Sequence, residues 1–235
     1  MGNPYVIRVV SKKGGVGKTV VAINLAIALA SFGKKVLLDD GDVANASASI
    51  HIGLRDSFYS SEEVLYSEQS VSKSVYRYDP GSIDILPGTG YYSLRAPPTE
   101  EQIASLGRQL SSADYDFVVV DTSPGFFMPH IAKYYKEALI VSTMDEPAIR
   151  SNMGLAKLYG GISVKTNMAL NRVTKIDDRA VKDIEREFGK GVIGILPEDP
   201  VVPRSIDMHT PAFLLSGGSK FSMAIKELAL RYLSA

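Results

Sequence analysis

The segment Ser11-Lys12-Lys13-Gly14-Gly15-Val16-Gly17-Lys18-Thr19 separates a short apolar run, Tyr5–Val10, from a longer apolar stretch that begins at Lys18. The β-branched residues of the first run predict a strand, and the spacing of the second predicts a helix over Lys18–Ser31. A glycine-rich turn between them lets successive main-chain N–H groups point inwards around an anion. The helix adds the positive end of its dipole. The start of the chain therefore predicts a strand–loop–helix unit that surrounds an anion.

The residue types in this loop specify which anion is expected. Main-chain donors from Gly14-Gly15-Val16-Gly17 would surround the phosphates, and Lys18 would place a charge at the β- and γ-phosphates. The Thr19 hydroxyl is placed to ligate Mg²⁺. A glycine-rich turn that only caps a helix is the plainer alternative, but the order of strand, loop, Gly-Lys-Thr and helix favours a bound triphosphate.

Strand-like and helix-like segments alternate along the whole chain. The runs Val36-Leu37-Leu38 and Phe117–Val120 are almost continuously apolar, as in parallel strands that helices cover on both faces. The predicted strands are Tyr5–Val10, Lys35–Asp39, Ile83–Leu86, Asp116–Val120, Ala138–Val141, Met168–Leu170 and Val192–Ile195. The predicted helices are Lys18–Ser31, Glu62–Tyr66, Glu100–Ser111, His130–Lys136, Ala148–Tyr159, Asp177–Phe188 and Lys220–Leu233. This pattern predicts one three-layer α/β/α domain over residues 1–235, with a mostly parallel, doubly wound sheet of about seven to eight strands.

Composition narrows the function classes. The chain contains 26 basic residues (Lys and Arg) and 26 acidic residues (Asp and Glu), so its net charge is zero. The overall charge therefore does not indicate a polyanionic partner such as DNA. The chain has no cysteine, which excludes disulfides, thiolate zinc sites and cysteine-ligated iron–sulfur clusters. His51, His130 and His209 lack metal-ligand spacing. No signal peptide is evident and Val20–Ala30 is too short to span a bilayer, so a cytoplasmic protein is expected.

The loop also carries a family resemblance. Lys13–Thr19 resembles the deviant Walker A motif, KGGxGK[ST], of the MinD/ParA group of P-loop ATPases. The resemblance implies a P-loop NTPase that binds ATP or ADP with Mg²⁺, hydrolyses ATP and forms an ATP-driven sandwich homodimer. In that family the lysine at the place of Lys13 reaches the partner subunit's nucleotide, which would make Lys13 catalytic together with Lys18. A solvated lysine beside the loop is the alternative. Lys12 departs from the family, which has glycine at this position. This departure concerns the rate of ATP hydrolysis more than the binding of ATP.

Acidic residues follow two predicted strands, at Asp39-Asp40-Gly41-Asp42 and at Asp121. Mg²⁺ prefers carboxylate and water oxygens. The resemblance implies that Asp42 orients the attacking water, and that Asp40 and Asp121 lie at the metal with Thr19. It also matches Gly125 to a glycine that senses the γ-phosphate. Solvated acids at a strand end, or a turn at Ser123-Pro124-Gly125, are the alternatives.

Two later strand ends resemble the family's adenine site. Asn171 and Arg172 follow one strand, and Pro197, Glu198 and Asp199 follow another. A side-chain amide can present both a donor and an acceptor to adenine, although asparagine is also an ordinary turn residue.

Three further segments carry weaker predictions. Phe126–Met128 is either a partner surface or the inward-packing start of a helix, with the second favoured. The polar segment Ser57–Ser74 receives no function. The helix Lys220–Leu233 has apolar residues at helical spacing and is expected to pack in the core instead of anchoring a membrane.

The leading hypothesis is an ATPase whose dimer state controls an unidentified regulatory protein, in spatial positioning such as that of the cell-division machinery. A nucleotide-dependent adaptor with little turnover is the first alternative. A ParA-like DNA or plasmid partition ATPase is the second, and zero net charge disfavours it. Peripheral membrane association stays open, although the sequence shows no clear anchor.

Overall fold

The computed structural model describes residues 2–42, 45–54, 59–67, 69–88, 98–125, 129–189 and 191–234. The strands are β1 Tyr5–Val10, β2 Val36–Gly41, β3 Tyr76–Tyr78, β4 Ile83–Leu86, β5 Phe117–Thr122, β6 Glu137–Ser142, β7 Lys165–Val173 and β8 Val192–Pro197. The α-helices are α1 Lys18–Ser31, α2 Ala48–His51, α3 Ser61–Tyr66, α4 Val71–Ser74, α5 Glu100–Ser112, α6 Glu146–Gly161, α7 Asp178–Phe188, α8 Val201–Asp207, α9 Ala212–Leu215 and α10 Lys220–Leu233. Short 3₁₀ helices cover Asp79–Gly81 and Pro129–Tyr134.

The strands form a single sheet in the order β3-β4-β2-β5-β1-β6-β7-β8. All neighbouring pairs are parallel except β3 and β4, which are antiparallel. The strands β2 to β5 lie on one side of β1, and β6 to β8 lie on the other side. The direction in which the chain adds strands therefore reverses beside β1. Ligands of such sheets bind where the winding reverses, at the carboxyl ends of the strands.

Helices cover both faces of the sheet. Ile7 and Val9 of β1 face the layer that contains α1 and α10, whereas Val6 packs in the layer that contains α5. The helices α6 and α7 lie on the same side as α5, against alternate residues of β6 and β7. The front layer is therefore α1 with α10, the back layer is α5, α6 and α7, and the predicted three-layer α/β/α architecture is confirmed.

The helix boundaries follow local capping chemistry. The Thr99 hydroxyl oxygen accepts a hydrogen bond from the Gln102 N–H, and the Gln102 side-chain oxygen accepts one from the Thr99 N–H, so α5 begins at the predicted residue. The predicted bounds of α1 and α10 are also those of the structure. Phe221, Ile225 and Leu228 of α10 are fully buried, which confirms that this helix belongs to the core. Over the described residues, no helix combines the length and apolar character that crossing a bilayer requires.

Several short elements differ from the prediction. The expected helix His130–Lys136 is a 3₁₀ helix over Pro129–Tyr134. The edge strand β3 and the helices α8 and α9 were not predicted, because each is shorter than the periodicity of a pattern can reveal. The polar segment Ser57–Ser74 contains α3 and α4, although its residues 57, 58 and 68 lie outside the described part of the chain. Phe126–Met128 also lies outside it.

Candidate nucleotide site

The loop after β1 has the backbone of an anion-binding turn. Gly15 and Gly17 adopt left-handed φ angles of 76° and 93°, which side chains rarely allow. A side chain at Gly17 would also begin only 2.4 Å from the Asn171 Nδ2 atom. Gly17 precedes α1 without a capping side chain, and the first turn of α1 has no acidic residue. The N–H groups at this helix end are therefore left for a ligand.

Lys18 is the first residue of α1 and is buried beside acids. Burial lowers the pKa of its ammonium, and the nearby charges of Asp121 and Asp42 act in the opposite direction. A lysine held at a helix start among carboxylates is placed to bind an oxyanion as a point charge.

Asp121 and Asp40 occupy paired positions on β5 and β2, on the same front face of the sheet. The Thr19 hydroxyl donates to Asp121 Oδ2 at 2.6 Å. Asp40 Oδ2 accepts from the Ser49 N–H and hydroxyl, each at 3.0 Å. Burial raises the pKa of Asp121 to about 7 and that of Asp40 to about 6. The front face therefore concentrates buried acids next to the phosphate loop.

This cluster fits a magnesium ion. Asp40 Oδ1 is buried and has no hydrogen-bond partner within the described residues, and the raised pKa values mark carboxylates that lack a sufficient counter-charge. In the part of the chain that the structure describes, no three acidic or histidine side chains form a ready-made metal cage. Mg²⁺ suits such a site, because it keeps several water ligands and binds through few carboxylates together with phosphate oxygens.

Asp42 joins the segments that follow β2 and β5. Its Oδ1 atom accepts a hydrogen bond from the Ser123 hydroxyl at 2.6 Å, and its side chain is buried. The carboxylate thus lies between the acid-rich strand end and the segment Asp121–Gly125, beside Lys18. Asp42 therefore connects the segment Asp39–Asp42 with the segment Asp121–Gly125, which are the two segments that the resemblance associates with Mg²⁺ binding and hydrolysis.

Lys13 lies at the rim of the loop, where its Nζ atom is 3.0 Å from Asp145 Oδ1. Half of the Lys13 side chain remains exposed. Hydrogen bonds from Thr143 and Lys13 lower the pKa of Asp145 to about 2. Because the pair is open to solvent, Lys13 can exchange this partner for another anion at little cost.

Gly125 has a different contact from the one expected of a phosphate sensor. Its N–H group donates to the Ser11 carbonyl oxygen at 2.8 Å, and its φ angle is 70°. A γ-phosphate would have to replace Ser11 before Gly125 could bind it. The segment Asp121–Gly125 is thus hydrogen-bonded directly to the phosphate loop.

A cavity of about 280 Å³ lies beside the loop, where the sequence predicts the adenine site. All five residues predicted for the adenine site line it, and so do residues of the loop and of α8: Gly17, Val20, Asn171, Arg172, Pro197, Glu198, Asp199, Val202, Pro203 and Ile206. The α8 residues were missed, because a seven-residue helix that contains Pro203 gives no clear periodic signal. The only available signal was the apolar pair before that proline.

Asn171 and Asp199, two of the residues predicted for the adenine site, use polar side-chain atoms to bind main-chain groups of the protein. The Asn171 amide donates to the Val16 carbonyl oxygen at 2.8 Å, so one of its donors is already used. The Asp199 carboxylate accepts from the N–H groups of Val201 and Phe221, at the starts of α8 and α10. Asp199 therefore shapes the cavity by positioning two helices.

Comparisons with known proteins agree with this geometry. The family model AAA_31, described as an AAA domain, matches residues 5–176. The chain is 30% identical to an uncharacterized ATP-binding protein of Methanocaldococcus jannaschii, over 97% of this chain and 88% of that protein. It is 31% identical to the septum site-determining protein MinD of Synechocystis, over 96% of this chain and 88% of that protein.

A solved structure is similar over the same extent. The septum site-determining protein MinD of Pyrococcus horikoshii, complexed with Mg-ADP, has a TM-score of 0.83 and 25% identity, with 97% of this chain and 96% of that chain covered. The eight-stranded sheet, the glycine loop with its buried lysine and these similarities lead to one assignment. The chain belongs to the MinD/ParA-type family of P-loop ATPases.

Proposed function

We propose that this protein is a Mg²⁺-dependent ATPase whose ATP-bound form pairs with a second copy of the chain and controls a partner protein. The observation that carries the proposal is the convergence of Lys18, Thr19 and Asp121 at the start of α1, with the Thr19 hydroxyl bonded to Asp121. This arrangement supplies a cation, a hydroxyl and a carboxylate around one point where main-chain N–H groups also meet.

The phosphate loop performs the binding. The N–H groups of Gly14–Lys18 and the Lys18 ammonium hold the β- and γ-phosphates, and the left-handed glycines keep the main chain close to them. At the other end, the cavity beside Asn171 and α8 receives the adenine in a lining that combines apolar and polar side chains.

Thr19, Asp40 and Asp121 would hold Mg²⁺, directly or through water. A bound Mg²⁺ neutralises the charge of the β- and γ-phosphates and stabilises the charge that develops during phosphoryl transfer. Asp42 orients the attacking water, and its exchangeable bond to Ser123 connects this role to the segment that follows β5.

Dimer formation would depend on Lys13. Its side chain is half exposed and, among the described residues, its ammonium pairs with the solvent-accessible Asp145, so a nucleotide on a second subunit can compete for it. Two triphosphates that face each other in a dimer carry dense negative charge, which one lysine from each subunit would offset. The names of the septum site-determining relatives support spatial positioning in cell division as the process.

Light scattering after size exclusion tests the dimer. The parent protein should be monomeric with Mg-ADP and dimeric with a non-hydrolysable ATP analogue, and Lys13→Ala should stay monomeric with both. Lys35→Ala is the matched control, because Lys35 forms a similarly exposed ion pair with Asp114 away from the loop. Dimers of Lys13→Ala equal to those of the parent would refute the role of Lys13.

An adaptor with little turnover is the second candidate. The Gly125 N–H bond to the Ser11 carbonyl favours it, because this bond keeps a γ-phosphate donor occupied. Steady-state phosphate release separates the candidates: release at background together with tight ATP binding supports the adaptor. Lipid vesicles and DNA added to the same size-exclusion experiment would test membrane recruitment and the partition alternative.

A further inference from the structure

The buried side chain of Asn152 holds the main chain at Lys12. Its N–H group donates to Asn152 Oδ1 at 2.9 Å, and Asn152 is fully buried within α6. The Ser11 hydroxyl donates to the Lys13 carbonyl oxygen at 3.0 Å on the other side. Since the backbone on both sides of Lys12 is held, the direction in which its side chain leaves the loop is set by the fold.

That direction leads to the segment that follows β5. A side chain at Gly125 would begin 3.7 Å from Lys12 Cδ and 3.8 Å from Lys12 Nζ, so the lysine lies across this glycine. The neighbouring Lys13 points instead to Asp145, at the start of α6. Two consecutive lysines therefore diverge, one towards α6 and the other towards the segment Asp121–Gly125.

The Lys12 ammonium lies where two phosphate-facing segments meet. The Gly125 N–H donates to the Ser11 carbonyl oxygen, and a side chain at Gly14 would begin 3.7 Å from Pro124 Cγ. Among the residues described, no carboxylate lies within 4.0 Å of the Lys12 ammonium, and its side chain is exposed. An exposed cation at the contact between the phosphate loop and the Asp121–Gly125 segment is available to an anion that enters there.

We propose that Lys12 is a nucleotide-selecting residue whose ammonium contacts the terminal phosphate of ATP and thereby favours ATP over ADP. The inference rests on the proposed ATP site. In the proposed site, the terminal phosphate lies beside Asp121, which belongs to the same segment as Gly125, and ADP lacks this group. A charge-assisted contact made only with ATP raises its affinity selectively.

Equilibrium titration calorimetry with Mg-ADP and with a non-hydrolysable Mg-ATP analogue tests the proposal. Lys12→Met keeps an aliphatic stem across Gly125 but removes the charge, and should weaken binding of the ATP analogue about tenfold. Its affinity for ADP should stay within about twofold of the parent's, and Lys12→Arg should restore the preference for the ATP analogue. The preference of the parent should also fall as salt is added, more steeply than that of Lys12→Met.

The outcomes separate this proposal from the function on which it rests. Equal affinities of parent and Lys12→Met for the ATP analogue would overturn the role of Lys12, as would an equal loss for both nucleotides. A parent protein that binds neither nucleotide would overturn the ATP site itself. Thermal unfolding of Lys12→Met, measured without nucleotide, should match that of the parent, which shows that the loss is not one of folding.

Discussion

The two ends of the nucleotide site use their polar side chains differently. At the phosphate end, Lys18, Thr19 and Asp121 lie among one another's charges and hydrogen bonds. At the base end, the Asn171 amide and the Asp199 carboxylate bind main-chain groups, and apolar residues of α8 share the cavity lining with them. We therefore expect charge to contribute more to binding at the phosphate end than at the base end. Substitutions at the two ends should therefore differ in size and in dependence on charge.

The largest effect is expected for Lys18→Met. The change removes the buried cation between Asp121 and Asp42 and leaves the loop without its point charge. Affinity for Mg-ATP should fall at least about a hundredfold, since charge-assisted bonds to phosphate are lost in a buried site. Calorimetry measures this, with Lys35→Ala as a control that removes an exposed lysine. A loss of only a few-fold would show that main-chain N–H groups alone hold the phosphates.

The second-largest effect, a loss of Mg²⁺ dependence, is expected for one of two buried acids that lie on opposite faces of the sheet. Asp121 faces the loop, whereas Asp39 faces the back layer and accepts a 2.7 Å bond from the Ser61 hydroxyl. Burial raises the pKa of each to about 7. Asp121→Asn should abolish the dependence of nucleotide binding on Mg²⁺, and Asp39→Asn should leave it intact. If both variants respond to Mg²⁺ like the parent, the acids on the front face do not hold the ion.

The same acids predict how stability depends on pH. Their folded pKa of about 7 lies above the ordinary value of 3.8, so the folded protein keeps protons that the unfolded chain has released. The free energy of unfolding should therefore fall as pH rises from about 4 to about 7, by about 1.4 kcal/mol for each tenfold difference in proton affinity.

Urea unfolding without nucleotide at pH 5 and pH 8 measures this decrease. Asp39→Asn should reduce the decrease because the asparagine does not titrate, and Mg²⁺ should reduce it further at pH 8 by offsetting the charge on Asp121. An equal free energy of unfolding at both pH values would contradict the raised pKa values.

Local sequence pattern placed the candidate phosphate-end residues more completely than the residues that line the cavity. Lys18 and Thr19 are contiguous with their loop, and Asp121 lies near the end of the apolar strand β5, so local pattern was sufficient to bring these residues together. The bond from the Gly125 N–H to the Ser11 carbonyl joins residues far apart in the chain, and no pattern specifies it. The contribution of α8 to the cavity was missed for a similar reason, because a short helix gains its stability from tertiary packing.

The smallest effect is expected at the base end, for Asn171→Ala. The variant removes an amide that lines the cavity, and one neutral hydrogen bond from this amide to the bound base corresponds to about 1 kcal/mol. The bond to the Val16 carbonyl oxygen lies within the protein, so its loss lowers stability and not affinity directly. Affinity for Mg-ADP should therefore fall only about fivefold. The loss should be insensitive to salt, because no charge is removed.

Calorimetry at low and high salt measures this, with Asp199→Asn as the matched base-end variant. Asp199→Asn should lower the melting temperature more than it lowers affinity, because the Asp199 carboxylate accepts hydrogen bonds from N–H groups in the first turns of α8 and α10. A loss for Asn171→Ala as large as that for Lys18→Met would remove the distinction between the two ends. It would mean that the amide controls the phosphate loop through Val16 and Gly17, where its nitrogen already leaves no room for a side chain.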